Sequence, residues 1–315
     1  MQRRFAFEVY NPARNQRYYA LTRLGSGGQG GVWAGVDTAG NPIALKVIWP
    51  TSNTIQDYWS WYNDQAGHLE CLQQPHVVLS YDQFQNLGNG WYVIVMERAN
   101  RSLDDVINSG WPQSALRVCE IGAQILSALD YLHSVNRVHR DVSARNLLEF
   151  PNGLVKLNDF GVSKAGIAAG QATGTQLGNA VYLPPELLSF GRWTHQSDIY
   201  QLGLVLISLL LGRHVIPPRV TPHELGRMIR DGVPRQAAES IMGKHANLGN
   251  ILKFMVCRTE HFRFPTAAAA WTAIAVELQA QRAHEQARRE SLLNALKLFG
   301  VGAGLAWIAR TAGNG

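Results

Sequence analysis

Apolar and polar residues alternate from Tyr18 to Leu24, a period of two that predicts a β-strand, and the short apolar segment IALKVIW from Ile43 predicts another. Between them lies LGSGGQGGVW, a glycine-dense turn. The apolar run GLVLISLLLG spans only about three helical turns, so it reads as a buried helix and not a membrane span. Beyond Ala280 the pattern changes to a polar, helix-favouring run, QRAHEQARRESLLNALK, followed by twelve uncharged, mostly apolar residues, LFGVGAGLAWIA. The stretch Ala165 to Gly178 is rich in Ala, Gly and Thr and uncharged throughout, which predicts a loop. No internal repeat is visible.

Composition narrows the class. With 315 residues and 46% hydrophobic content the chain can bury a substantial core in one large domain or two small ones. Lys and Arg number 29 against 23 Asp and Glu, too slight an excess for the basic stripe of a nucleic-acid binder, and no nucleic-acid partner is expected. Cys71, Cys119 and Cys257 are far apart and odd in number, which disfavours a disulfide framework or zinc site and fits a reducing compartment. The segment MQRRFAFEVYNPARNQRYY has no apolar run long enough for a secretory signal, so a cytoplasmic protein is expected.

Gly25, Gly27 and Gly30 stand in GxGxxG spacing, with Val32 two residues later. Closely spaced glycines let backbone amides approach phosphate oxygens, although a plain β-turn gives the same pattern. A dinucleotide-binding loop would lead directly into a helix, whereas strand residues follow here. Lys46, flanked by Ile43, Ala44, Leu45, Val47 and Ile48, is placed to point into a cleft.

The segment VHRDVSARNLL sets His139, Arg140, Asp141 and Asn146 in HRDxxxxN spacing, and LNDFG places Asp159 18 residues after Asp141. Together these motifs resemble the eukaryotic-type protein kinase family, in its bacterial serine/threonine branch. The resemblance implies an α+β bilobal fold, with a small β-rich N-lobe carrying one helix and a larger α-helical C-lobe. It implies ATP and Mg²⁺ as cofactors and a protein as substrate. Asp141 would accept the proton of the substrate hydroxyl, Lys46 would reach the α and β phosphates, and Asn146 with Asp159 would hold the metal.

Further positions follow from the same resemblance. WYVIVMERA looks like the last N-lobe strand and hinge, with Met96 as gatekeeper and Glu97 and Ala99 offering backbone groups to adenine; Val32 and Ala44 would cover the pocket and Leu148 would floor it. VYLPPE, ending at Glu186, resembles the end of the activation segment, and Arg263 its buried ion-pair partner, both structural. Asp198 of SDIYQLG resembles the aspartate that supports the catalytic loop. The resemblance covers residues 17–280, with the N-lobe to about 98, leaving 1–16 as an N-terminal extension and 281–315 as a tail.

Several positions depart from the family pattern. Counting back from Pro75 places Gln65 where a glutamate usually pairs with the lysine, with Asp64 and Glu70 as alternatives if the helix shifts; the resulting hydrogen bond would lack a second charge, implying slower or differently regulated catalysis. Ser143 and Asn179 replace a lysine and a threonine typical of serine/threonine kinases, and Arg145 resembles the tyrosine-kinase form, so the acceptor stays open between Ser/Thr and Tyr, with Ser/Thr favoured by the rest of the C-lobe. Arg140 would pair with a phosphorylated activation loop, with Thr173 and Thr175 as acceptors, which also suggests autophosphorylation. The tail, with five Lys/Arg and two Asp/Glu in residues 281–315, fits either membrane association through residues 292–309 or docking of an amphipathic helix on a protein surface. The rival readings are a pseudokinase scaffold and, less favoured, a small-molecule kinase.

Overall fold

The computed structural model describes residues 5–27, 30–49, 74–86, 88–159 and 181–312, with side chains along the last helix to residue 295. The N-terminal part, up to Glu97, is a curled antiparallel sheet of β1 (Phe7–Asn11), β2 (Gln16–Gly27), β3 (Gly30–Asp37), β4 (Pro42–Ile48), β5 (Ser80–Gln85) and β6 (Tyr92–Glu97), in the order β1-β2-β3-β4-β6-β5. Period-two alternation gives this sheet two apolar faces. Ile43, Leu45 and Val47 of β4 join Val93 and Val95 of β6, Trp33, Tyr18 and Phe84 in one cluster. Ala44 and Lys46 fall on the opposite face, opposite Met96 and Ile94 in the β4–β6 register.

Strand β1 lies in the segment read as an extension, and it pairs along its whole length with β2. A polar clasp fastens it. The Asn11 amide donates to both oxygens of buried Asp82, at 3.1 and 2.9 Å, and the Tyr18 hydroxyl donates to the same carboxylate at 2.8 Å. A buried carboxylate needs such partners to offset the loss of water.

The remainder, from Arg101 onward, is mainly helical. A small sheet of β7 (Arg101–Ser102), β8 (Leu147–Glu149) and β9 (Val155–Leu157) adjoins α1 (Leu103–Asn108) and α2 (Ala115–Ser134). Then come α3 (Pro185–Phe190), α4 (His195–Leu211), α5 (Pro222–Arg230), α6 (Val233–Met242), α7 (Ala246–Met255) and α8 (Ala267–Ala312). The apolar run predicted as a buried helix is α4, whose residues Ser197 to Leu209 are all buried. It packs so closely that a Cβ on Gly203 would come within 2.8 Å of Val256 and 2.9 Å of Met255. This is a bilobal α+β fold.

Helix α8 runs through position 281 without a break, so the change in composition there marks a change of exposure and not of backbone. Ala267, Ala270, Ile274 and Glu277 are buried against the lobe at helical spacing, whereas residues from Arg282 to Ala295 are almost all exposed. Among the described residues no helix is long and apolar enough to cross a membrane.

Candidate active site

The cleft face of the sheet and the small sheet below it enclose one apolar cluster. Ala44, Val78, Met96 and Phe150 form its buried centre, with Val32, Ala99, Leu148 and Leu154 packed against it. Every side chain assigned from sequence to an adenine pocket is in this cluster: Val32, Ala44, Met96, Ala99 and Leu148. Val78, Phe150 and Leu154 were not anticipated. The cluster offers flat apolar surface beside the chain from Glu97 to Ala99, whose backbone can supply hydrogen-bonding groups.

Next to it, Lys46 Nζ stands 2.6 Å from Asp159 Oδ1. Asp159 has a φ of +58°, a left-handed conformation that costs energy for a residue other than glycine. Phe160 and Gly161 lie outside the described residues, as do Gln65, Thr173, Thr175 and Asn179.

The glycines play unequal parts. A Cβ on Gly30 would sit 2.1 Å from the Val47 carbonyl oxygen, so this position needs glycine for strand packing. A Cβ on Gly25 would meet nothing within 4 Å, leaving backbone there open to a ligand. Gly27 ends β2.

Below the cleft, Asp141 is 8% exposed in a loop that buries Val142 and Ala144 in the core and is braced by hydrogen bonds. Its amide donates to His139 Nδ1 at 3.2 Å, which leaves His139 Nε2 as the protonated nitrogen facing the Asn158 carbonyl at 3.2 Å. Burial pushes the His139 pKa down, against the pull of the nearby carboxylates Asp198, Asp141 and Asp159, so a neutral imidazole is locked in one tautomer. The Asn146 side-chain amide donates to the Asp141 carbonyl at 2.9 Å, which commits its nitrogen inward and leaves Oδ1 as the ligand-capable atom. Asp198, fully buried, accepts from the amides of His139 (2.8 Å) and Arg140 (2.9 Å) and from His133 Nε2 (2.9 Å). Arg140 has a φ of +68°, and its Nε is buried with no partner among the described residues.

The structure thus places Lys46 against Asp159 and Asn146 against Asp141, the four residues to which the sequence resemblance gives the chemistry, with the apolar cluster around Ala44 and Met96 beside them. Among the described residues no group of three or more His, Cys, Asp or Glu gathers to cage a metal. The donor set of Asn146 and Asp159 fits Mg²⁺, which takes few protein oxygens and completes its octahedron with water and phosphate.

Residues 18–268 match the protein kinase domain family model. The chain belongs to the protein kinase family. Relatives of this kinase include PknA of Corynebacterium glutamicum, named a serine/threonine-protein kinase and 32% identical over 60% of this chain and 42% of its own length. PrkC of Bacillus subtilis, also named a serine/threonine-protein kinase, is 32% identical over 62% of this chain and 31% of its own. PknL of Mycobacterium tuberculosis is 30% identical over 63% of this chain and 50% of its own. The kinase therefore spans a third to a half of the length of these relatives.

Two joints between the lobes were missed in the sequence. Glu97 accepts from Lys156 Nζ at 2.6 and 2.8 Å and from the Leu79 amide at 2.8 Å, tying the end of β6 to β9. The segment before β5 also bonds to β9, with the Leu157 amide donating to the His76 carbonyl at 2.8 Å and the Val78 amide donating to Leu157 O at 2.9 Å. Ser143, where a lysine was expected, is fully buried, while Arg145 is more than half exposed with Nε 3.4 Å from Asp104. The ion pair foreseen between Glu186 and Arg263 is bidentate, with both bonds 2.8 Å long.

Proposed function

We propose that this kinase transfers the γ-phosphoryl group of Mg·ATP to serine or threonine hydroxyls of proteins, its own chain included. The observation that carries the reading is the fixing of Asp141 and Asn146 by one loop hydrogen-bond system below Lys46 and Asp159. Asp141 accepts the hydroxyl proton, and Lys46 and the backbone at Gly25, Gly27 and Gly30 hold phosphates. Asn146 Oδ1 and the Asp159 carboxylate hold Mg²⁺, which neutralises phosphate charge when bound. Adenine lies among Val32, Ala44, Met96, Ala99 and Leu148, with hydrogen bonds to the backbone of Glu97 and Ala99.

The serine/threonine preference is supported by the names of the relatives, although Arg145 and the buried Ser143 leave the loop without the expected lysine. Arg140, with its unpartnered Nε, is the side chain we expect to receive a phosphate on Thr173 or Thr175. Gln65 would modulate Lys46 from outside the described residues. We place the kinase in the cytoplasm, in keeping with its separated cysteines, one of which, Cys119, has its thiol pushed up to about 12 by burial. The domain extends over residues 17–280, with the exposed basic stretch of α8 available to an acidic protein or lipid surface. No observation favours a pseudokinase, since Lys46, Asp141, Asn146 and Asp159 are all present.

Phosphoamino-acid analysis after incubation with labelled ATP tests the assignment. Phosphoserine or phosphothreonine is the expected product, and phosphotyrosine alone would overturn the acceptor class.

A further inference from the structure

The two peptide planes that meet at the Asp141 Cα are both gripped by a single side chain from helix α4. Gln201 is 1% exposed. Its Oε1 accepts from the Val142 amide at 3.1 Å, and its Nε2 reaches the Arg140 carbonyl at a longer 3.5 Å. The Arg140 carbonyl belongs to the same rigid plane as the Asp141 amide, and the Val142 amide to the same plane as the Asp141 carbonyl. Holding both planes fixes the two backbone rotations of Asp141 and hence the direction of its Cα–Cβ bond, from which the carboxylate projects.

The grip has a second consequence. The far edge of the 141–142 plane is the Asp141 carbonyl, which receives the Asn146 amide at 2.9 Å. The far edge of the 140–141 plane is the Asp141 amide, which donates to His139 Nδ1. Gln201 therefore faces, across one peptide on each side, the residue proposed to hold metal and the histidine that braces the loop. Asp198, one helical turn earlier on the same face of α4, accepts from the amides of His139 and Arg140 and from His133 Nε2, and reaches neither Val142 nor the Arg140 carbonyl. Nothing else described receives the buried Val142 amide.

We propose that Gln201 is a positioning residue for phosphoryl transfer, holding Asp141 and Asn146 in mutual register through the backbone between them. The inference rests on the kinase reading above. Gln201 has no place in nucleotide binding, so its loss acts on turnover and not on affinity. A misplacement of about 1 Å in a reacting group costs on the order of 100-fold in rate, which sets the scale.

The test compares the full chain with Gln201→Met, which keeps length and apolar shape but removes both hydrogen bonds, and Gln201→Glu, which keeps the acceptor. The Met variant is expected to lose on the order of 10-fold to 100-fold in kcat, with KM for ATP within about threefold of wild type. Amide hydrogen exchange across residues 139–146 should accelerate while α2 and the rest of α4 keep wild-type protection, and Gln201→Glu should recover most of both properties. Wild-type kcat or wild-type loop exchange in Gln201→Met overturns the proposal, as does a Glu variant no better than Met. The exchange measurement needs no activity, so a wild-type chain without phosphotransfer would count against the kinase reading while loop exchange still decided the clamp.

Discussion

Lys46 Nζ and Asp159 Oδ1 lie 2.6 Å apart, joining β4 of the smaller lobe to the loop after β9 across the cleft. Each charge is one the proposed chemistry uses elsewhere, the cation for phosphates and the anion for metal. When Mg·ATP is bound, Lys46 would hold phosphate and Asp159 would hold the metal, so the direct pair would give way to the substrate. Lys46→Met should therefore lower phosphotransfer on the order of 100-fold to 1000-fold, the scale seen when one preorganised electrostatic contact is removed. Initial rates with labelled ATP check this, and a variant retaining more than a tenth of wild-type kcat/KM would contradict it.

The two outer glycines of the motif should separate under substitution. Gly30→Ala drives a Cβ to 2.1 Å from the Val47 carbonyl oxygen, so β3 and β4 must part, and a clear drop in Tm is expected. Gly25→Ala meets no atom within 4 Å and should leave Tm almost unchanged while weakening nucleotide binding. Thermal melts with nucleotide titration read both effects. Equal losses of Tm in the two variants would refute the division of roles.

Arg263 and Glu186 are 3% and 4% exposed, and Ser197 adds a third hydrogen bond to the carboxylate at 2.6 Å. Burial raises the Glu186 pKa, but the bonds from Arg263 and Ser197 outweigh it and the net direction is down. Arg263→Met leaves that carboxylate buried without its counter-charge, at a cost of about 3–5 kcal/mol. Urea unfolding measures it. A loss below about 1 kcal/mol would show that the pair contributes little.

Acid should destabilise the fold before it reaches the carboxylates. Burial lowers the pKa of His76, His139, His195 and His214 from the ordinary 6.5. The unfolded chain then takes up protons below about 6.5 that the folded chain refuses, so this stability is complete above that pH and is lost as pH falls toward the depressed folded values. Tm should be level above about pH 7 and decline by pH 5.5. A flat profile across that interval would contradict the assignment of these imidazoles, His139 buried and the other three partly buried, as neutral in the folded chain.

Sequence reading reached the site because its determinants are local. The alternation of Ile43, Leu45 and Val47 with Ala44 and Lys46 sets which side chains enter the cleft, and Asp141 and Asn146 belong to one short loop. What escaped depends on contacts between distant segments. Lys156 looks like any solvated lysine until the fold brings it to Glu97, 59 residues away. Likewise, β1 is fastened by Asp82, 71 residues beyond Asn11. Gly30 carries the motif spacing of a phosphate loop, but its need for glycine comes from Val47 on the neighbouring strand.

Transfer of label from γ-labelled ATP in the presence of Mg²⁺, by the wild-type chain and by Asp141→Ala, tests the central claim most directly. The account predicts label on serine or threonine of the wild type and a near-complete loss in the variant, with both chains folded and both binding ATP. Equal labelling of the two, or ATP binding without label on either the chain or an added protein substrate, would contradict it.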